Sequence, residues 1–175
     1  MPLSSFARPV RFSDASFCLD LSFLRSWLEV KLVETVPVNE KLTLDDYEAV
    51  GSLSASVRSL RDEARSLVPK LHGRKVWMVN STARGGGVAE MLPRMISIMR
   101  ELGVATEWLV IGSDKPEFFT LTKRLHNLIH GSGDPYLTSE DRAVYDSVSQ
   151  ENADALKSRV QPSDLLVVHD PQPLG

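Results

Sequence analysis

Between residues 80 and 90 the chain reads Asn-Ser-Thr-Ala-Arg-Gly-Gly-Gly-Val-Ala-Glu. Three consecutive glycines, Gly85, Gly86 and Gly87, let a backbone turn tightly and bring bare N–H groups close to a ligand. Ahead of a helix, the same groups add the positive end of the helix dipole, which favours an anion. A phosphate or a sugar hydroxyl suits this loop, and so does a plain connecting turn; the loop alone gives the two readings similar weight. Two better-known phosphate loops fit poorly. In the dinucleotide fingerprint G-x-G-x-x-G, Glu90 stands where the third glycine belongs, and the Gly-Lys-Ser/Thr ending of the P-loop is missing. Glu90 reads first as a partner for the helix dipole rather than as a general base.

Two further stretches carry polar groups in suggestive places. Residues 167 to 175 read Val-Val-His-Asp-Pro-Gln-Pro-Leu-Gly, which puts His169 and Asp170 just past an apolar run, with prolines fixing the backbone behind them. If that run is a parallel strand, its carboxyl end is where ligands bind in open α/β sheets; the alternative is a strand-ending turn in which Asp170 caps backbone N–H groups. In the stretch 117–131, Lys123, His126, Asn127 and His130 recur at three- and four-residue steps and so share a helix face, which is more often a solvated side than a binding one. His72 precedes Gly73 and reads as a hydrogen-bond donor or cation at a helix end.

These segments need a scaffold, and the apolar periodicity supplies one. Residues 75–80, 106–111 and 164–169 are short apolar runs with the character of buried strands. Apolar positions 88, 91, 92, 95, 99 and 102 mark a helix stopped by Gly103, and Leu53, Val57, Leu60, Ala64, Leu67 and Leu71 form the stripe of another that ends near Gly73 and should lie on a sheet or a neighbouring helix. Two more helices are expected over 117–130 and 139–159, the latter opened by Thr138 with acidic residues in its first turn. Strand, helix, strand is a βαβ unit, so the fold class is α/β with a parallel sheet flanked by helices. Residues 1–42 read as an irregular N-terminal extension in which only 28–34 alternates well enough to suggest a strand. The remainder, 43–175, reads as an incomplete Rossmann-like domain, since three strands fall short of a doubly wound sheet.

Composition narrows the function further. The 175 residues are 42% hydrophobic and 25% charged, the make-up of about one soluble globular domain. A net charge of -3 with scattered Lys and Arg leaves no electrostatic footprint for nucleic acid. The single cysteine, Cys18, cannot form an internal disulfide, and no Cys/His spacing suits a metal. No window approaches a membrane span or a signal peptide, so no membrane partner is expected and the cytoplasm is the expected compartment. Homodimerisation is left open.

In order and spacing, Val79-Asn80-Ser81-Thr82 leading to Gly85-Gly86-Gly87-Val88-Ala89-Glu90, then Phe118-Phe119 with Thr122-Lys123 and His126-Asn127, and finally His169-Asp170-Pro171-Gln172-Pro173, resemble the trehalose glycosyltransferring synthases of glycosyltransferase family 4. The resemblance runs from about residue 75 onward. It implies a GT-B architecture, with two Rossmann-like domains facing a cleft and this chain forming part of the N-terminal one. It also implies retaining transfer of glucose from a nucleoside diphosphate glucose, a co-substrate, to free glucose, giving α,α-trehalose with no metal ion or other cofactor. Sugar and nucleotide-sugar would be the partners. Carried over to this chain, Gly85, Gly86 and Gly87 would meet the donor's phosphates or glucosyl unit, His169 would be the catalytic contact to the transferred sugar, and Asp170, Lys123 and Asn127 would hold hydroxyls. The nucleotide-binding half that the resemblance implies is not in this sequence, so the chain alone is expected to be inactive. A retaining trehalose phosphorylase is the rival enzyme, a non-catalytic single-lobe sugar-binding or regulatory protein the rival from another class, and a dehydrogenase comes third.

Overall fold

The computed structural model describes residues 32–174. The expected strands are present at Val76–Asn80 (β2), Thr106–Ile111 (β3) and Leu165–Val168 (β4). A fourth strand, β1 (Val33–Val36), lies within the stretch read as an extension and pairs antiparallel with β3, Val33 opposite Ile111. Residues 28–31 of the strand expected there, and Cys18, fall outside the described residues. The sheet order is β1-β3-β2-β4, and β2 runs parallel to both β3 and β4. The sheet is therefore mostly parallel, with an antiparallel strand at one edge, rather than wholly parallel.

Alternation along β2 and β3 divides the core into two layers, because successive side chains of a strand point to opposite faces. Trp77, Val79, Leu109 and Ile111 pack on one face with Phe118 of helix α4 (Pro116–Ile129) and Val148 of helix α5 (Ser139–Lys157). Val76, Met78 and Trp108 pack on the other with Ala89, Leu92 and Ile96 of helix α3 (Gly87–Glu101). β2 is buried along all five residues, as a strand with helices on both faces must be. Burial of a side chain such as Leu92, Ile96, Leu109 or Phe118 stabilises the fold by about 1.5–3 kcal/mol each.

Two short elements precede this core. Thr43 and Asp46 form a reciprocal capping box at the start of helix α1 (Leu44–Glu48). Helix α2 (Ser54–Leu67) runs into a 3₁₀ turn at Val68–Leu71. Its apolar stripe is less covered than its periodicity suggests: Val57 is buried, but Leu53, Leu60 and Leu67 stay exposed. The reason is placement, since α2 packs chiefly on α1 and on its own 3₁₀ turn rather than on the sheet.

At the amino end of β2 and β4 the polar groups are tied together. Asp164 accepts hydrogen bonds from the Lys75 N–H (3.1 Å), from Trp77 Nε1 (2.9 Å) and from the Gln161 N–H (3.0 Å). Lys75 Nζ meets Glu107 at 2.6 Å and lies 4.6 Å from the Trp77 ring centroid. Among the described residues β4 forms the other edge of the sheet, with Leu166 and Val167 exposed. No described helix is long and apolar enough to cross a membrane.

Candidate active site

Val79 stands opposite Val168 in the parallel pair β2–β4, so the segments that leave the two strands, from Asn80 and from His169, emerge side by side at the carboxyl end of the sheet. That is the end at which open α/β sheets bind ligands.

The Gly-rich loop is held from beneath by Asn80, which is fully buried. Its Oδ1 accepts from Trp108 Nε1 at 2.7 Å, and its Nδ2 donates to the Thr82 carbonyl at 2.7 Å. One amide thus anchors the loop to β3 on one side and fixes its first turn on the other. Thr82 Oγ1 continues the turn by donating to the Arg84 carbonyl (2.7 Å) and accepting from the Arg84 N–H (3.1 Å). Gly85 (φ 75°) and Gly86 (φ 90°) then take left-handed backbone conformations, which a β-carbon disfavours. Crowding is not the constraint, since a β-carbon on either glycine would meet nothing within 4 Å. Gly86 is the N-cap of α3 and brings no side-chain cap, so the donors of the helix's first turn are available to a ligand.

The second strand end contributes Asp170, which at φ 67° is one of two non-glycine residues with positive φ among the described residues. Asp170, Lys123 and the three glycines Gly85, Gly86 and Gly87 share the wall of one cavity of about 430 Å³, together with Asn80, Thr82, His126 and Gln172. This lies within the range of small-molecule sites, about 300–1,000 Å³. A larger groove of about 550 Å³ runs between β4 and the end of α5, but apolar residues such as Leu156, Val160 and Leu166 dominate it, and its Asp164 is already engaged by Lys75, Trp77 and Gln161.

Two expected residues are not on the cavity wall. His169 belongs to the same strand end, and its N–H donates to the Val79 carbonyl at 2.8 Å, but its ring rests on Met78, with Nε2 3.4 Å from Sδ. Asn127 is exposed at the outer side of α4, where its carbonyl accepts from the N–H groups of His130 and Ser132. Helix geometry explains the split. With about 100° between successive residues, His126 turns from Lys123 toward the buried side that carries Thr122, whereas Asn127 turns the other way, to solvent. His126 and His130 lie one turn apart with ring centroids 4.7 Å apart, but only His126 reaches the cavity.

Gln172 is a wall residue that reading the sequence did not single out, and His126 is one that it placed on a polar helix face with Asn127 and His130 but did not assign to the site. Both sit inside the informative stretches, and the signal that separates them from their neighbours is which side of the helix or turn faces inward. Among the described residues, no group of three or more His, Cys, Asp or Glu side chains is placed to hold a metal ion.

Residues 78–175, more than half of the chain, match the family model for the N-terminal domain of trehalose synthase. The chain belongs to that family. It is 40% identical over 116 residues to a trehalose synthase of Rubrobacter xylanophilus, covering 66% of this chain and 27% of that protein. It is 36% identical over 133 residues to a trehalose synthase of Pyrococcus horikoshii, covering 76% and 30% respectively. A trehalose phosphorylase of Grifola frondosa is 33% identical over 127 residues, with 69% of this chain and 16% of that protein covered. The chain therefore spans less than a third of the length of the trehalose synthases it matches. The matched region begins within β2 and takes in the Gly-rich loop, α4 and the His169–Pro173 segment.

Proposed function

We propose that this domain supplies the sugar-facing wall of a glycosyl-transferring enzyme that moves glucose from a nucleoside diphosphate glucose to free glucose, with retention, to give α,α-trehalose. The observation that carries the reading is the convergence of Gly85–Gly87, Lys123 and Asp170 on one cavity at the carboxyl ends of β2 and β4, in a chain of the trehalose synthase N-terminal family. The backbone N–H groups of the loop and the amino end of α3 form a rigid set of donors for the oxygens of the departing diphosphate, and donors fixed in advance need no reorganisation as charge develops there. Lys123 and Asp170 offer a donor and an acceptor to sugar hydroxyls. Because the His169 ring rests on Met78, we assign the direct contact with the sugar to Asp170, with His169 as the residue that carries it.

Among the lining residues Lys123 is the one lysine or arginine, too little positive charge to stabilise a leaving diphosphate by itself. The 175-residue chain is accordingly expected to bind sugar without turning it over. Product analysis of a longer polypeptide that joins this domain to a nucleotide-binding domain, supplied with glucose and each nucleoside diphosphate glucose in turn, should yield α,α-trehalose; a different disaccharide or none would overturn the reading. The likeness to trehalose phosphorylases supports a second reading, which a second incubation separates: supplied with trehalose, a phosphorylase consumes it only when inorganic phosphate is present.

A further inference from the structure

Among the described residues, three buried side-chain atoms lack a hydrogen-bond partner: Arg61 Nε, His126 Nδ1 and Gln172 Oε1. The first has an explanation in its ion pairs. The Arg61 guanidinium is paired with Asp45, lies 3.6 Å from Glu101, and has Nε 3.9 Å from a Glu48 oxygen. The other two belong to residues of one cavity, the one that also holds the Gly-rich loop. Asp170, strained into positive φ, is on the same wall. Buried polar atoms are nearly always paired, and two unpaired ones here belong to residues that line one cavity, although Gln172 also borders a small pocket beside Phe118 and Asn152.

The chemistry of the two atoms defines the partner each lacks. Gln172 Oε1 accepts, and His126 Nδ1 donates or accepts according to tautomer. An anion would set its oxygens against Gln172 Oε1 and against the Asp170 carboxylate, acceptor facing acceptor. A hydroxyl both donates and accepts and suits all three. Neither unpaired atom is open to solvent, so each reaches a ligand by rotation of its side chain.

We propose that His126 and Gln172 take the hydroxyls of a neutral hexose rather than the oxygens of an anion, gaining from them the hydrogen bonds they lack, while the Gly-rich loop of the same cavity faces the diphosphate. The inference rests on the reading of the cavity as a sugar site.

The test is nuclear magnetic resonance of the 175-residue chain titrated separately with D-glucose and with inorganic pyrophosphate. Glucose should shift the imidazole nitrogens of His126 and the side-chain amide of Gln172 saturably. Gln172→Met and His126→Phe should each weaken glucose binding about tenfold, the loss of one hydrogen bond. The melting temperature of Gln172→Met should not fall, because replacing an unpaired polar atom by an apolar one of similar shape breaks no bond in the fold. Should Gln172→Met fail to fold, Gln172→Glu keeps the shape and should lose glucose by adding a second carboxylate beside Asp170. Unchanged glucose affinity in the folded variants overturns the selecting role and leaves the sugar-site reading intact. So does a pyrophosphate response at these two side chains that glucose does not match. A wild-type chain indifferent to both probes removes the sugar-site reading itself, and this inference with it.

Discussion

The two ends of strands β2 and β4 are built on opposite terms. At the amino end Asp164 gathers three donors, Trp77 lies beside Lys75, and Lys75 is paired with Glu107. At the carboxyl end, a few residues away along the same strands, Asp170 is held at positive φ, two glycines adopt left-handed conformations, and His126 and Gln172 keep unpaired atoms beneath the surface. The first arrangement lowers the energy of the folded chain whatever else is present. In the second, the unpaired atoms and the positive φ of Asp170 raise it, and such strain persists where a rigid scaffold holds groups ready for a ligand. The contrast separates residues that hold the sheet together from residues that serve the cavity, and substitutions at each end should respond differently.

Asn80 belongs to both sets, so its loss should have the largest effect. Asn80→Leu leaves the Trp108 indole N–H without its acceptor in the core and the Thr82 carbonyl without its donor. Each buried group left unpaired costs about 1–3 kcal/mol. Melting temperature and glucose binding should fall together; a variant that binds glucose normally would show that the loop is positioned without its anchor.

At the amino end, Asp164→Ala should lower the melting temperature and leave glucose binding unchanged. Its carboxyl is held below the usual range, chiefly by the hydrogen bond from Trp77 and then by the Gln161 N–H. A carboxyl depressed in the folded state binds its proton less readily there than in the unfolded chain. Its contribution is therefore complete above the ordinary carboxylate pKa of about 3.9 and is lost as pH falls through the lower folded value. Asp46, Asp141 and Glu151 are lowered as well, so the quantity to measure is the difference between wild-type and Asp164→Ala melting curves from neutral pH into acid. That difference should close below the ordinary carboxylate range. A difference that stays constant throughout would mean that Asp164 acts by shape rather than by charge.

Much of this division could be read from the sequence. Strands β2, β3 and β4 and helices α3, α4 and α5 announce themselves because strand runs and helical stripes are local patterns. β1 does so poorly, since in Val33–Val36 the two ends are apolar and the middle is polar, and its pairing with β3 is made across more than seventy residues of chain. α1 is only five residues long, but Thr43 and Asp46 stand three apart, and that spacing alone could have located its start. Within the cavity the Gly-rich loop and Asp170 were legible, because glycine runs and strand ends have known uses. His126 was legible only as one of four polar residues on a helix face, and Gln172 was not legible as a site residue. A hydrogen bond that is missing depends on everything packed around the atom, and no spacing along the chain encodes it.

The Gly-rich loop itself offers the finest test, because its glycines are required for different reasons. Gly86→Ala places a β-carbon at φ 90° and ψ 152°, a region open almost only to glycine, which costs about 1–3 kcal/mol, so stability and binding should decline together.

Gly87 is different: its φ is ordinary, it opens helix α3, and a β-carbon there would meet no atom within 4 Å. Nothing in the fold requires glycine at this position, and alanine is the better helix former. Gly87→Ala should therefore leave the melting temperature unchanged or slightly raised, the smallest effect on folding of the four substitutions. Yet Gly87 lines the cavity, and a methyl group added there enters space that a ligand must approach closely to reach the backbone N–H groups of the loop. If the loop is only a connection between β2 and α3, the substitution should pass unnoticed in every assay. If it is a binding surface, affinity for glucose or for pyrophosphate should fall in a protein that is at least as stable as before. Measuring thermal unfolding and ligand titration on the same preparation distinguishes the two, and unaltered affinity for both probes would reduce Gly87 to a turn residue.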